Sequence, residues 1–299
     1  MTSNIARYIV AGLGATASVS AFPQGPNGQQ QQHTTFSTAI SAPSSTPFAI
    51  PTINQPPTPS PVNSEAAAAA ASANTALAQE ALGDVTNVAR FNTLLTIDGA
   101  GKELLPADQL KDRVVFDFAA KAQPLGKGGR FVLANQNNFP VLVDQNIATA
   151  VGFLNPCGMN SPHTHPRATE WLTTVQGTLK TGFMLENGFL ANAGEGRQTT
   201  QVSAELGPFQ GTVFPQGSIH FQFNDNCSPA TFIATLNSDD PGTSQIAQNF
   251  FFLDEKIVNI TLGEPMTVDG SNIEEFRLTL PPNLVQAVDG CLKRCEGKY

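Results

Sequence analysis

Between about residue 114 and residue 262 the apolar positions come in short runs broken by Gly, Pro and Asn. Examples are RFVLAN, ATAVGFL, LTTVQGTLKTGFML, GTVFPQG, HFQFN and ATFIATLN. Short runs rich in Val, Phe, Thr and Leu, closed by turn residues, predict many short strands. The fold class expected is all-β, a single sandwich or barrel over residues 114–270. VVFDF (114–118) is its first expected strand, reached through a lead-in (84–113) that ends in a short helix over PADQLKDR (106–113). Beyond the barrel, SNIEEFRLTL (271–280) and PNLVQAVDGCLKRC (282–295) read as helices within a C-terminal segment, 271–299. Their apolar positions, Ile273, Phe276, Leu278, Leu284, Val285, Val288 and Leu292, suit the end of a barrel or a neighbouring subunit. Before the lead-in, Ser64-Glu65 opens an Ala-rich stretch (65–83) that stops at Gly83. The caps fit a helix, but no apolar stripe marks a face to bury, so low-complexity sequence with helical tendency is the plainer reading. No glycine-rich phosphate loop and no regular alternation of strands with long helices occurs, which disfavours Rossmann and P-loop functions.

The N-terminal pattern is different again. Arg7, an apolar stretch from Tyr8 to Ala17 and the small residues Val19-Ser20-Ala21 read as a secretory signal peptide over 1–21. Residues 22–64 are rich in Pro, Gln, Ser and Thr and cannot bury enough apolar surface to offset the entropy of ordering. They are expected to form a disordered spacer, with His33 a solvated residue within it. The polar C-terminus lacks the hydrophobic tail of a lipid-anchor signal. A soluble extracellular protein is expected, free or held in a cell wall.

Charge and cysteine content narrow the partners. Across 299 residues, 16 Lys+Arg face 24 Asp+Glu, a net charge of −8. That balance argues against nucleic acid, which needs a clustered basic surface. No run of about 18 apolar residues occurs, so no spanning helix and no membrane partner is expected. The four cysteines, Cys157, Cys227, Cys291 and Cys295, predict two disulfides in a secreted chain. Three pairings are open. Cys157 and Cys227 each adjoin a histidine motif, which favours Cys157–Cys227 with Cys291–Cys295. No His lies at ligand spacing to any of them, which disfavours zinc. Asn259-Ile260-Thr261 and Asn226-Cys227-Ser228 are glycosylation sequons, the second a poor one if Cys227 is bridged.

Three of the four histidines fall in two compact clusters, PHTHPRATE (162–170) and PQGSIHFQFN (215–224). On a strand, His163 and His165 point to the same side. Glu170 follows within reach of a short turn, and His220 comes from a separate strand. Three imidazoles and one carboxylate suit a borderline divalent ion and leave coordination positions open, as a catalytic metal needs. Arg167, between the clusters' ligands, is expected to make a salt bridge at the barrel rim rather than to clamp an anion.

At these residues the chain resembles the cupins. His163, His165, Glu170 and Gly177 meet H-x-H-x4-E-x6-G, and Pro215, Gly217, His220 and Asn224 meet P-x-G-x2-H-x3-N. The surrounding runs are similar to germin-like proteins, and the cysteine pattern resembles fungal spherulin-like cupins. Two motif glycines are replaced: Cys157 stands at one place and Phe209 at the other. The resemblance, over about residues 110–295, implies a jelly-roll-like β-barrel with a C-terminal helical segment. It implies Mn²⁺, with Fe²⁺ acceptable to the same donors, held by His163, His165, Glu170 and His220. It further implies a homo-oligomer, and an oxidoreductase acting on superoxide or a small carboxylate such as oxalate. The alternative is a wall, spore-coat or storage protein whose metal is structural. Asn160 matches one of two asparagines that oxalate oxidases place near the metal, while the other falls at Ala150, which cannot hydrogen-bond a carboxylate. Asp239 and Asp240 lie where oxalate decarboxylases carry an acidic lid residue, but an Asp-Pro-Gly turn is the favoured reading.

Overall fold

The computed structural model describes residues 64–262 except 193 and 195, together with 284–286 and 290–296. The leader, residues 22–63 of the spacer and the helix expected over 271–280 lie outside the described residues. The Ala-rich stretch is a helix, α1 (Ser64–Leu82), and Gly83 follows its last turn. Alanine loses least on entering a helix. One edge of α1 is also buried after all: Ala78 and Ala81 pack against Leu94 and Val143. Leu94 belongs to α2 (Asn87–Leu95), which Thr86 caps by accepting from the Ala89 N–H. Next comes α3 (Ala107–Val114), the expected helix.

VVFDF is not a strand. Val114 closes α3, and Asp117 accepts from the Ala120 N–H at 2.9 Å to cap a short helix, α4 (Phe118–Lys121). A side-chain cap outcompeted the run's strand propensity. Phe118 then packs with Ala122 on Val151 and Phe153, covering part of the barrel's outer face.

The barrel is two antiparallel sheets. In chain order the strands are β1 (Gln123–Pro124), β2 (Gly129–Ala134), β3 (Ala148–Leu154), β4 (Gly158–Thr164), β5 (Glu170–Gln176), β6 (Leu179–Met184), β7 (Gln201–Leu206), β8 (Gly211–Phe214), β9 (Ile219–Phe223), β10 (Ala230–Leu236), β11 (Ser244–Gln245) and β12 (Leu284–Gln286). One sheet has the order β1-β2-β3-β10-β5-β8. The other runs β11-β4-β9-β6-β7, with β12 also paired to β4. Two short helices, α5 (Ile246–Phe251) and α6 (Glu255–Thr261), follow β11, and Asn259 of the first sequon lies within α6. Between the sheets, Leu154, Leu172, Leu179, Leu206, Phe214, Phe232 and Leu284 form the main core.

The C-terminal expectation is corrected in part. Leu284–Gln286 is a strand rather than helix, in register with Gly158–Asn160, and helix returns at α7 (Gly290–Cys295). Leu284 exchanges backbone hydrogen bonds with Leu125 and Gly128, so tertiary pairing overrode the local helical pattern. The disulfide pairing is corrected as well: the bridges are Cys157–Cys291 and Cys227–Cys295. Cys291 and Cys295 are one turn apart on one face of α7, and that face lies on the barrel. Each therefore meets a different barrel cysteine instead of its helical neighbour.

Both replaced motif glycines keep the backbone a glycine would adopt. Cys157 has φ 59° and Phe209 has φ 62°, in the left-handed region. The Cys157 N–H donates to Asn226 O, and the Phe209 N–H to Thr174 O, so the loops keep their course without glycine.

Candidate metal centre

His163 lies on β4, His165 just beyond its end, Glu170 opens β5 and His220 lies on β9. His163 and His220 are direct cross-strand partners. One potential ligand atom from each of the four side chains falls within 4.8 Å of the others, and all four residues are buried. Glu170 Oε2 is 2.9 Å from His165 Nε2 and 3.3 Å from His220 Nε2. Phe214 stacks flat on the His220 ring, with centroids 4.4 Å apart.

The outer nitrogens of the three imidazoles explain this convergence. His163 Nδ1–H donates to Ser161 O at 2.8 Å, His165 Nδ1–H to Gly242 O at 2.6 Å, and His220 Nδ1–H to Ser218 O at 3.0 Å. A carbonyl only accepts, so each Nδ1 carries a proton, and Nε2 is the nitrogen that faces inward. A hydrogen bond from Nδ1–H to a backbone carbonyl fixes the tautomer and orientation of a ligating histidine.

Burial lowers the His163 pKa to about 3, and the neighbouring His220 adds to the effect. Burial alone would raise Glu170, but hydrogen bonds from His165 and His220 outweigh it and hold the carboxyl at about 2. Burial likewise opposes protonation of His165, yet the hydrogen bond to Glu170 prevails and its pKa is raised. His163 and Glu170 are therefore already in the forms a cation requires, whereas His165, its pKa raised, gives up a proton to bind one.

Beside these side chains is a cavity of about 20 Å³. Asn160, Ala150 and Thr243 line it together with His163, His165 and Glu170, and Phe131, Leu133, Phe232 and Leu236 form apolar walls. Asn160 reaches it because β4 is irregular between Asn160 and His163 in its pairing with β9. In a regular strand, residues three apart face opposite ways, and a bulge resets that alternation. Asn160 is thus part of the strand. Its Nδ2 donates to Gln222 Oε1 at 2.8 Å.

Gln222 and Thr243 are the polar neighbours that sequence reasoning missed. Gln222 lies two residues beyond His220 and so shares its inward face, a signal the alternation carried. Thr243 arrives through a loop, and no local pattern marks it. Arg167 makes the expected rim salt bridge, 2.9 Å from Asp240, and also donates through Nε to Asp240 O. Asp239 accepts from the Asp144 N–H at 2.7 Å. Both acids are engaged at the rim, consistent with the turn reading.

Comparison with known proteins adds the following. The family model described as Cupin matches residues 119–274. Spherulin-1A of Physarum polycephalum is 39% identical over 199 residues, 66% of this chain and 76% of that protein. Germin-like protein 4-1 of Oryza sativa subsp. japonica is 40% identical over 138 residues, 46% of this chain and 52% of that protein. A solved structure described as giving structural and spectroscopic insights into the mechanism of oxalate oxidase aligns with 59% of this chain and 85% of that one. Its identity is 23% and its TM-score 0.47.

Proposed function

The chain belongs to the cupin family, with germin-like and spherulin-like relatives, and on that premise we propose that it is a secreted manganese-binding oxidoreductase whose substrate is superoxide. The observation that carries this reading is the convergence of three inward Nε2 atoms and Glu170 Oε2, each Nδ1 tied to a backbone carbonyl. His163, His165, Glu170 and His220 would hold the ion. Three nitrogens and one oxygen fit Mn²⁺, and Fe²⁺ is the other ion such donors accept. The chemistry a bound ion supplies is one-electron exchange at an open coordination position.

The protein's own contribution is confinement. At about 20 Å³ the cavity has room for one or two water-sized groups. A diatomic anion fits that space, whereas a six-heavy-atom dicarboxylate requires the walls to move. Among the described residues no Lys or Arg lines the cavity, so a second carboxylate would find no counter-charge there. Ala150 offers no hydrogen bond either. Phe131, Leu133, Phe232 and Leu236 exclude bulk water, and Asn160 and Thr243 are the neutral polar groups left to orient a small ligand. The leader-like residues 1–21 support secretion.

The depth of the four residues also favours a second reading, a structural metal in a non-catalytic extracellular protein. Metal content of purified, tag-free protein, measured by mass spectrometry beside a His163→Ala/His165→Ala variant, tests the site. About one manganese per chain, lost in the variant, is expected. Loaded protein should then dismutate superoxide and leave oxalate untouched. Metal without superoxide turnover would leave the structural reading, and no metal in either protein would overturn both.

A further inference from the structure

At the other end of β4 the four cysteines meet. Cys157 immediately precedes β4, Cys227 lies in the turn after β9, and α7 supplies Cys291 and Cys295. The two disulfides touch: Cys157 Sγ is 3.8 Å from Cys295 Sγ, although these two are not bonded. The sulfurs of Cys157, Cys291 and Cys295 all lie within 4.8 Å of one another, and all three residues are buried. Cys227 is joined to Cys295, so the fourth sulfur is beside them. Phe223 and Leu292 pack against the group and shield it.

A tetrahedral ion with metal–sulfur bonds of about 2.3 Å sets its ligand sulfurs about 3.8 Å apart. The Cys157–Cys295 contact already has that length. Cys-x3-Cys on one face of a helix supplies two corners, and two strand ends supply the others. Spacing along the chain disfavoured zinc because no histidine accompanies the cysteines, but the fold assembles an all-sulfur set that needs none. Lys180 and Arg294 both pair with Asp225 at this end of the barrel. That network carries one net positive charge, which suits an anionic centre.

We propose that the four cysteines are a second metal site, a tetrathiolate site for Zn²⁺ that exists only when the disulfides are reduced. Each disulfide is reduced by exchange with two equivalents of a small-molecule thiol, which leaves as its own disulfide while two protein thiols remain. Zn²⁺ then displaces the four thiol protons and forms four metal–sulfur bonds, leaving a site of charge −2. α7 is thereby fastened to the barrel by disulfides under oxidising conditions and by zinc under reducing ones. The site shares no residue with the His163/His165/Glu170/His220 cluster, so it stands or falls apart from the proposed function.

The test uses the full chain, with each disulfide reduced by one equivalent of a water-soluble phosphine, which takes an oxygen atom from water as it is oxidised. Co²⁺ serves as the spectroscopic probe, because a tetrahedral thiolate site gives sulfur-to-metal charge-transfer absorption that nitrogen and oxygen ligands do not. Reduced protein should develop that absorption, saturating at one Co²⁺ per chain and abolished by Zn²⁺. Oxidised protein and a Cys291→Ser/Cys295→Ser variant should show none. Reduction without metal should lower the Tm, and Zn²⁺ should restore most of the loss. Four titratable thiols with no charge-transfer band, or a reduced Tm that Zn²⁺ leaves unmoved, would overturn the proposal.

Discussion

At the scale of single residues, His163 is the most constrained titratable group of the site. Burial and the neighbouring His220 hold its pKa at about 3 against an ordinary 6.5, although the hydrogen bond to Ser161 O works the other way. A group depressed in this way contributes stability that is complete above its unfolded pKa and is lost as pH falls toward the folded one. Metal-free protein should therefore weaken below about pH 6.5, by at most about 1.4 kcal/mol per pH unit for the one proton involved. Glu170, lowered from 4.5 to about 2, adds a second loss below pH 4.5. His165 works in the other sense: its raised pKa gives stability that is present below 6.5 and lost as pH rises. It therefore contributes no slope in the acid range. Urea midpoints of chelator-treated protein between pH 7 and pH 5 measure this, and His163→Gln should flatten the curve. A flat curve for the parent chain would show that His163 is not held neutral. The four ligand candidates were legible because two motifs with exact spacing carry them. Asn160 was legible only by resemblance, since its inward aim depends on an irregularity in β4 that residue type does not announce.

At the scale of elements, the strands of the barrel were legible and the two ends of the domain were not. Alternation fixes a strand wherever one face is buried, and β5 and β9 follow that rule, whereas β7 is exposed at every position but Leu206. VVFDF failed because one side chain, Asp117, capped a helix there. Leu284–Gln286 failed because its partner lies more than 120 positions away on β4. The cysteine pairing failed for a related reason: α7 can only be placed once the barrel exists. β12 is nonetheless part of the barrel's core. Leu284 is 1% exposed among Leu154, Leu179 and Phe232. Its N–H donates to Leu125 O at 2.9 Å, and its carbonyl accepts from the Gly128 N–H at 3.0 Å. Gly128 permits this approach, because a Cβ there would sit 2.2 Å from Val285 O. Truncating Leu284 to Ala should cost about 2–5 kcal/mol, as for other buried leucines. Urea unfolding at pH 7 of protein with both disulfides intact checks this, and a loss under about 1 kcal/mol would mean that β12 is peripheral to the core.

At the scale of the whole molecule, the two faces of the first sheet are unequally covered. Its inner face carries Glu170 and Leu172 into the barrel, and α4 shields Val151 and Phe153 on part of the outer face. The rest of that outer face presents Trp171, 56% exposed, with Val213 at 42% and Ile233 at 38%. These three share one side of the sheet: Trp171 pairs directly with Val213, and Ile233 pairs with Thr173, two residues from Trp171. An exposed aromatic among apolar neighbours on a flat sheet is the composition of an interface core, where Trp is enriched and charge depleted. None of the described helices is long and apolar enough to cross a membrane, so a lipid-spanning helix does not account for the patch. We propose that a second copy of the chain covers it, the homo-oligomer that the resemblance implies. Light scattering behind a sizing column should give a mass that is a multiple of the chain mass, which is 31.6 kDa with the leader residues included. Replacing Trp171 and Val213 by Glu should reduce that mass while leaving metal content at the inner face unchanged, since neither side chain faces the cavity. A parent chain that runs as a monomer at micromolar concentration would show that this face stays in water and that the resemblance does not extend to assembly.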